Sequence, residues 1–322
     1  MILKDFKPYN QLDYFDCYCK AMFHIMDYFH IDIYRFLLNQ LYGYRYTKDS
    51  KYSFCLYQYS LQQDTLEYTG LIREKIALSD NPIIQINQSI EEGKPVMILI
   101  DCFYLPFRMD TYHTSHLNHF ICIYGFDSKK RIFYVVDHDY VNSFAYRKHE
   151  LEYDAFMEFI NASRDGQLSF YAFSRDETID QSDKSYVQQY SHVILESQEL
   201  LNSGIEQLRD FLDFFTEQIQ GSEANAFINR ILIVIVNITR CVKQREDLLK
   251  VYVSDRQILA ELTAISQKWA IIRSLLLKFV RYEAYAQVPL ISGICGYSKE
   301  VFAMEQNLNS RLIQYCKERQ PA

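Results

Sequence analysis

The 322-residue sequence predicts an α+β fold in two parts: a mixed domain with an antiparallel sheet over residues 1–175, then an all-α helical domain. Three observations predict this. Helical and strand periodicities alternate up to about residue 175, and beyond it only the helical one occurs. Two β-rich segments are separated by the short polar turn "DSKK" (127–130), the mark of an antiparallel hairpin. The polar stretch "SRDETIDQSDKS" (174–185) divides the two patterns and reads as a linker over 176–186, which puts the helical domain at 187–322.

Each element follows from its own pattern. In "CKAMFHIMDYFHIDIYRFLLNQL", Ala21, Met22, Ile25, Met26 and Phe29 form one helical stripe beginning just after Cys17. "PIIQINQSIEEGK" (82–94) is a second helix, with Pro82 in its first turn and Gly93 as its stop. "PVMILID" (95–101), "HFICIYGFD" (119–127) and "RIFYVVD" (131–137) are short, β-rich and bounded by turn residues, and so are strands. "EYDAFMEFINAS" reads as a short helix and "LSFYAFS" (168–174) as a closing strand. In the second part, Leu201, Ile205, Leu208, Leu212 and Phe215 mark a helix that ends at Gly221. Another helix runs from Ser222 to about residue 252 and contains "ILIVIV" (231–236) as a buried helical stretch. Ser254 and Gln257 form a capping-box pattern before the next helix, and Ser298 is a candidate cap for a last one ending near Cys316. The result is a bundle of about four helices.

Hydrophobic residues make up 49% of the chain and charged ones 23%, enough apolar material for a sizeable core. Aromatic content is concentrated in 27 Tyr and 22 Phe against one Trp, which suits half-buried surfaces and clefts. The net charge is −7 and neither half is basic, which argues against a nucleic-acid surface. The N-terminal "MILKDFKPYN" has no apolar signal region, and "ILIVIV" is too short to span a bilayer. The expectation is a cytoplasmic protein, away from the membrane, with reduced thiols. No two of the eight cysteines have C-x-x-C spacing, so a zinc ribbon or thioredoxin-like motif has no support.

One constellation carries chemistry. Cys17 stands where the first helix begins, and a helix N-terminus offers unpaired N–H groups and partial positive charge to a thiolate, the nucleophilic form. A thiolate nucleophile needs a base, the base needs an orienting acceptor, and an acyl substrate needs donors for its oxyanion. His119 opens one strand of the hairpin and Asp137 closes the other, which makes them neighbours. Gln11, six residues before Cys17, is placed to supply a side-chain amide donor.

The pattern Q-x4-D-C before a helix, then His and Asp on paired strands, resembles the papain-like peptidases that process bacteriocin leaders. A second match is more particular. "KPVMILIDCFYLPF" followed by "HTSHLNHFICIYGFD" is similar to the N-terminal domain of the butirosin biosynthesis protein H family, with its D-x-x-Y-L-P segment, H-x-x-H and G-Y-D-like turn. Asp101, Tyr104, Leu105 and Pro106 fit; Phe107 and Phe126 replace the usual tyrosines. The resemblance covers about residues 11–175. It implies a papain-like fold and a cysteine-dependent acyltransferase that moves an acyl or aminoacyl group from a carrier-protein thioester to an amine in antibiotic-type biosynthesis. Cys17 is then the nucleophile, His119 the base, Asp137 the orienter and Gln11 the oxyanion donor, with Asp101, Tyr104 and His116 as substrate-binding candidates. No resident cofactor is implied; the donor is a phosphopantetheine thioester on an acyl or peptidyl carrier protein. The chain departs from the leader peptidases in having Tyr18 and Cys19 where they have a Gly-Pro pair.

Alternatives stay open at this level. A hydrolase (peptidase, amidase or thioesterase) would use the same residues, and a non-catalytic binding protein would keep only the shell. Cys19 is the alternative nucleophile and His116 the alternative base. His113, His116 and His119, with Asp137, His138 and Asp139 downstream, hold ligand-type residues, but their spacing does not turn them to one side, and no metal site is assigned.

Overall fold

A computed structural model of the chain describes residues 1–12, 15–38, 40–47, 53–60, 66, 69–138, 145–163, 168–182, 185–281 and 284–319. In chain order the elements are α1 (Cys17–Tyr28), α2 (Ile33–Leu37), β1 (Gln40–Thr47), β2 (Ser53–Ser60), β3 (Leu71–Ala77), α3 (Pro82–Glu91), β4 (Val96–Asp101), β5 (Asn118–Asp127), β6 (Ile132–His138), β7 (Tyr146–Glu152), α4 (Tyr153–Ala162), β8 (Ser169–Arg175), α5 (Tyr186–Glu196), α6 (Gln198–Gln220), α7 (Ala224–Tyr252), α8 (Arg256–Arg281) and α9 (Ala284–Lys317). The α+β class expected from the sequence is the class observed: an antiparallel six-stranded sheet, followed by a helical region.

The chain divides into two compact units, Met1–Phe36 with Asp64–Asp183, and Leu37–Gln63 with Lys184–Ala322. The sequence pattern places residues 1–175 in one domain and 187–322 in another, with a linker at 176–186; residues 37–63 group with the helices. The polar stretch after β8 is tied to the first unit. Asp176 N–H donates to Gly70 O, Gln181 Nε2 to Thr69 O, and Arg35 to Asp180 O.

In the first unit the strand order is β3-β8-β4-β5-β6-β7, with every pairing antiparallel. The continuous apolar run of β4 is explained by its central place: Val96, Met97, Ile98 and Ile100 are all buried. α1 packs its apolar stripe against β5, where the Cys122 thiol donates to Ala21 O at 3.2 Å.

An irregularity in the β5–β6 ladder sets the site. Cys122 pairs with Val136, whereas Gly125 pairs with Tyr134, so one extra residue is accommodated between Ile123 and Gly125. Extending the Gly125–Tyr134 register without the bulge would pair Asp137 with Cys122, and strand alternation would leave Asp137 and His119 on opposite faces. The bulge pairs Val136 with Cys122 instead, which puts the two on one face. Gly125 has a second task. Beyond the end of β4 the N-terminal segment takes the free edge, with Ile2 bridging Gly125. A Cβ at Gly125 would meet Met1 O at 2.9 Å and Ile2 Cα at 3.0 Å.

In the second unit β1 and β2 form an antiparallel hairpin that packs on α6. Gly204 of α6 lies against the β1 backbone, where a Cβ would sit 3.0 Å from Tyr44 N. Beneath the hairpin is a buried polar cluster. Arg245 makes two bonds to Glu305, at 2.6 and 2.8 Å; Tyr44 donates its hydroxyl to Glu305 and accepts from Trp269 Nε1. Within α7, "ILIVIV" is helical, as expected. α7 is long and apolar enough to cross a bilayer by length and composition. Its Phe227, Ile228, Ile231, Ile235, Ile238 and Val242 form a stripe buried inside the unit, as in a bundle helix.

Three helix boundaries differ from expectation. The helical pattern that runs from Val193 to Gly221 in the sequence breaks at Ser197 into α5 and α6. α8 is capped by Asp255, whose carboxylate takes the N–H groups of Gln257 and Ile258; Ser254 bonds the Tyr315 hydroxyl instead. Ser298 caps nothing: it lies inside the 34-residue α9, donating to Ile294 O. A serine on a buried helix face has the composition of a cap without its geometry.

Candidate active site

Cys17 is the first residue of α1, and the preceding Asp16 caps the helix by accepting the Cys19 N–H at 2.8 Å. This fixes the thiol over the open N-terminal turn. Burial pushes the Cys17 pKa up, but the hydrogen bond and charge of His119 and the N–H of Phe120 pull it down, and the net shift is downward. The other thiols near the sheet go the opposite way. Burial raises Cys102 to about 12 despite the adjacent Arg108, and raises Cys122 well above the ordinary thiol value. Cys19 is buried in the core.

His119 is buried on β5 and its Nε2 is 2.6 Å from Asp137 Oδ1. That leaves Nδ1 for Cys17. Burial lowers the His119 pKa, but the charge and bond of Asp137, with the contribution of Cys17, outweigh it and raise the pKa to about 9. Asp137 is fully buried. Burial pushes its carboxyl up, and His119 and His138 together hold it well below the usual carboxylate range. His138 approaches the same oxygen twice: its backbone N–H donates to Oδ1 at 2.7 Å, and its ring Nδ1 lies 3.0 Å away. The His138 ring stands edge-on to His119, centroids 4.8 Å apart, and limits the imidazole's rotation.

Gln11 is exposed, and the Tyr9 hydroxyl donates to its Oε1 at 3.3 Å, which turns the amide so that Nε2 is the remaining donor. The structure thus brings Cys17, His119 and Asp137 together and places Gln11 on the segment that runs beside α1.

Asp101, Tyr104 and His116 form a separate grouping. Asp101 pairs with Asn118 across β4 and β5, so alternation puts it on the face opposite Ile100 and His119. Its carboxylate accepts from Phe103 N, Leu117 N and His116 Nδ1, and these bonds outweigh partial burial to lower its pKa. Phe103 stacks on His116, while Tyr104 packs against Phe103 and Phe159. The D-x-x-Y-L-P segment is therefore a pinned turn, with the His116 ring exposed at its surface.

His119, Asp137 and His138 offer donor atoms within 4.8 Å of one another. Tetrahedral ligation at about 2.1 Å would hold donors roughly 3.4 Å apart. The 2.6 Å between His119 and Asp137 is a proton-sharing distance. Asp139, the further acid in the sequence pattern, lies outside the described residues.

Two contributors were missed in the sequence. Lys20 lies on the helix face that buries Ala21 and Met22, and is 1% exposed. Asn10 holds β7 through paired bonds with the backbone of Tyr146, whose ring packs on His138. A lysine among buried helical positions was the available signal for the first; nothing local marked the second.

Fold and site together define a mixed α+β protein with a thiol, an imidazole and a carboxylate in series. Residues 34–138 match the family described as butirosin biosynthesis protein H, N-terminal. The match includes Asp101, Tyr104, His116, His119 and Asp137 and begins after Gln11 and Cys17. No curated protein matches the chain.

Proposed function

We propose that this protein is a biosynthetic enzyme, a papain-like acyltransferase that works through an acyl-enzyme on Cys17. The single observation that carries the reading is the thiol of Cys17 at a helix N-terminus, bonded to a histidine whose other nitrogen is held by a buried aspartate. The family match supports a place in antibiotic-type biosynthesis.

In this reading the Cys17 thiolate attacks the carbonyl of an acyl thioester carried on phosphopantetheine. Gln11 Nε2 and a backbone N–H at the start of α1 stabilise the oxyanion. The intermediate collapses, the carrier thiolate leaves, and it takes the proton from the His119 imidazolium. Neutral His119 then accepts a proton from an incoming amine as its nitrogen attacks the Cys17 thioester. Collapse expels the Cys17 thiolate, forms the amide, and restores the thiolate–imidazolium pair. Asp137 keeps His119 Nε2 occupied throughout, so that Nδ1 faces the chemistry. The partners are an acyl or peptidyl carrier protein and a small amine.

Intact-mass measurement after incubation with acyl thioesters of N-acetylcysteamine tests the proposal. One acyl adduct is expected on the wild type and none on Cys17→Ala. Adding amines should discharge the adduct faster than buffer alone. Discharge at the same rate in buffer would make the protein a hydrolase, and absence of any adduct would overturn the acyl-enzyme.

A further inference from the structure

The segment before Cys17 is registered against α1 by buried polar contacts. Tyr9 N–H donates to His24 Nδ1 at 2.9 Å; two residues on, Gln11 O accepts from Lys20 Nζ at 3.2 Å, and Tyr9 O accepts from the same ammonium at 3.2 Å. Tyr9 meets both His24 and Lys20, whereas Gln11 meets Lys20, one turn nearer the start of the helix. The segment therefore runs antiparallel to α1, toward its N-terminus. Lys20 is one turn from Cys17, about 4.5 Å along the axis. His24 is fully buried, and burial with the nearby Lys20 charge lowers its pKa to about 3; it serves as a neutral acceptor.

An ammonium taken out of water needs compensating acceptors, and a lysine among the apolar contacts of α1 is a poor choice for packing alone. Its bonds to two carbonyls join the helix that carries the nucleophile to Gln11, the oxyanion donor of the proposed mechanism.

We propose that Lys20 is a positioning residue: it fastens the Tyr9–Gln11 backbone to α1 and so holds the Gln11 amide in register with the thiolate. This rests on the acyl-enzyme reading above.

The test compares two reactions of Cys17 in the full chain. Acylation by an N-acetylcysteamine thioester develops an oxyanion, and alkylation by iodoacetamide does not. Gln11→Ala should slow acylation about a hundredfold, and Lys20→Met roughly tenfold to a hundredfold. The double variant should be no slower than Gln11→Ala. Lys20→Met should alkylate within about twofold of wild type, and Lys20→Arg, which keeps a cationic donor, should recover part of the acylation rate. If Lys20→Met slows alkylation and acylation in parallel, or if the two effects multiply in the double variant, the positioning role is wrong while the acyl-enzyme stands. A wild-type protein that alkylates but never acylates removes both.

Discussion

Cys17 differs from the other described thiols by its neighbours: a helix N-terminus, an imidazole and a strand N–H. Asp137 is the distal member of this set, and its removal should be felt at the thiol. Asp137→Ala takes away the main group raising His119, so the His119 pKa falls from about 9 and Cys17 loses its cationic partner. Acylation at neutral pH should drop by roughly 10²–10⁴-fold, with the alkaline limb of the pH–rate profile moving to lower pH. The same shifts govern stability. The His119 pKa is raised from 6.5 to about 9, so its pairing contributes fully below pH 6.5 and is lost as pH rises through 9. The Asp137 pKa is depressed from 3.8, so its contribution holds above that value and is lost as pH falls further. The stability gap between wild type and His119→Ala, followed by urea unfolding, should be widest near pH 5–6 and narrow toward pH 9.

The hairpin of β5 and β6 supplies two of the three reacting groups, and its irregularity decides whether they meet. The sequence pointed to His119 and Asp137 because each sits at a strand end. The bulge that puts them on one face was not legible, since an extra residue in "CIYGF" leaves the β-rich composition unchanged. Gly125 was visible as part of a family-like turn, but its contact with the N-terminal segment was not. Gly125→Ala should cost about 1–3 kcal/mol, because Met1 O and Ile2 Cα are backbone atoms with little room to move. Thermal unfolding should show it as a lowered Tm. β1 and β2 were also missed: the sequence reading assigns no element between Leu41 and Pro82. The misplaced caps Ser254 and Ser298 share a cause, since serine composition marks a cap only when the backbone turns there.

The two units were only half legible. The α+β character of the first unit and the helices of the second follow from periodicity, which is local. The return of residues 37–63 to the helical unit is a long-range fact, expressed in contacts such as Tyr44 with Glu305 and Trp269. That cluster makes a prediction of its own. Glu305→Ala leaves Arg245 buried without its partner and should destabilise the second unit by about 3–5 kcal/mol. Trp269, the single tryptophan of the chain, lies at the cluster and reports the change by its fluorescence in urea.

The central claim is that His119 activates Cys17. It is tested most directly by peptide-mapped alkylation with limiting iodoacetamide at pH 7, on the wild type and His119→Ala. Cys17 is expected to be labelled first, well ahead of Cys102 and Cys122, and to lose that lead when His119 is removed. Labelling of Cys17 no faster than an ordinary thiol, or a lead unchanged in His119→Ala, would contradict the account.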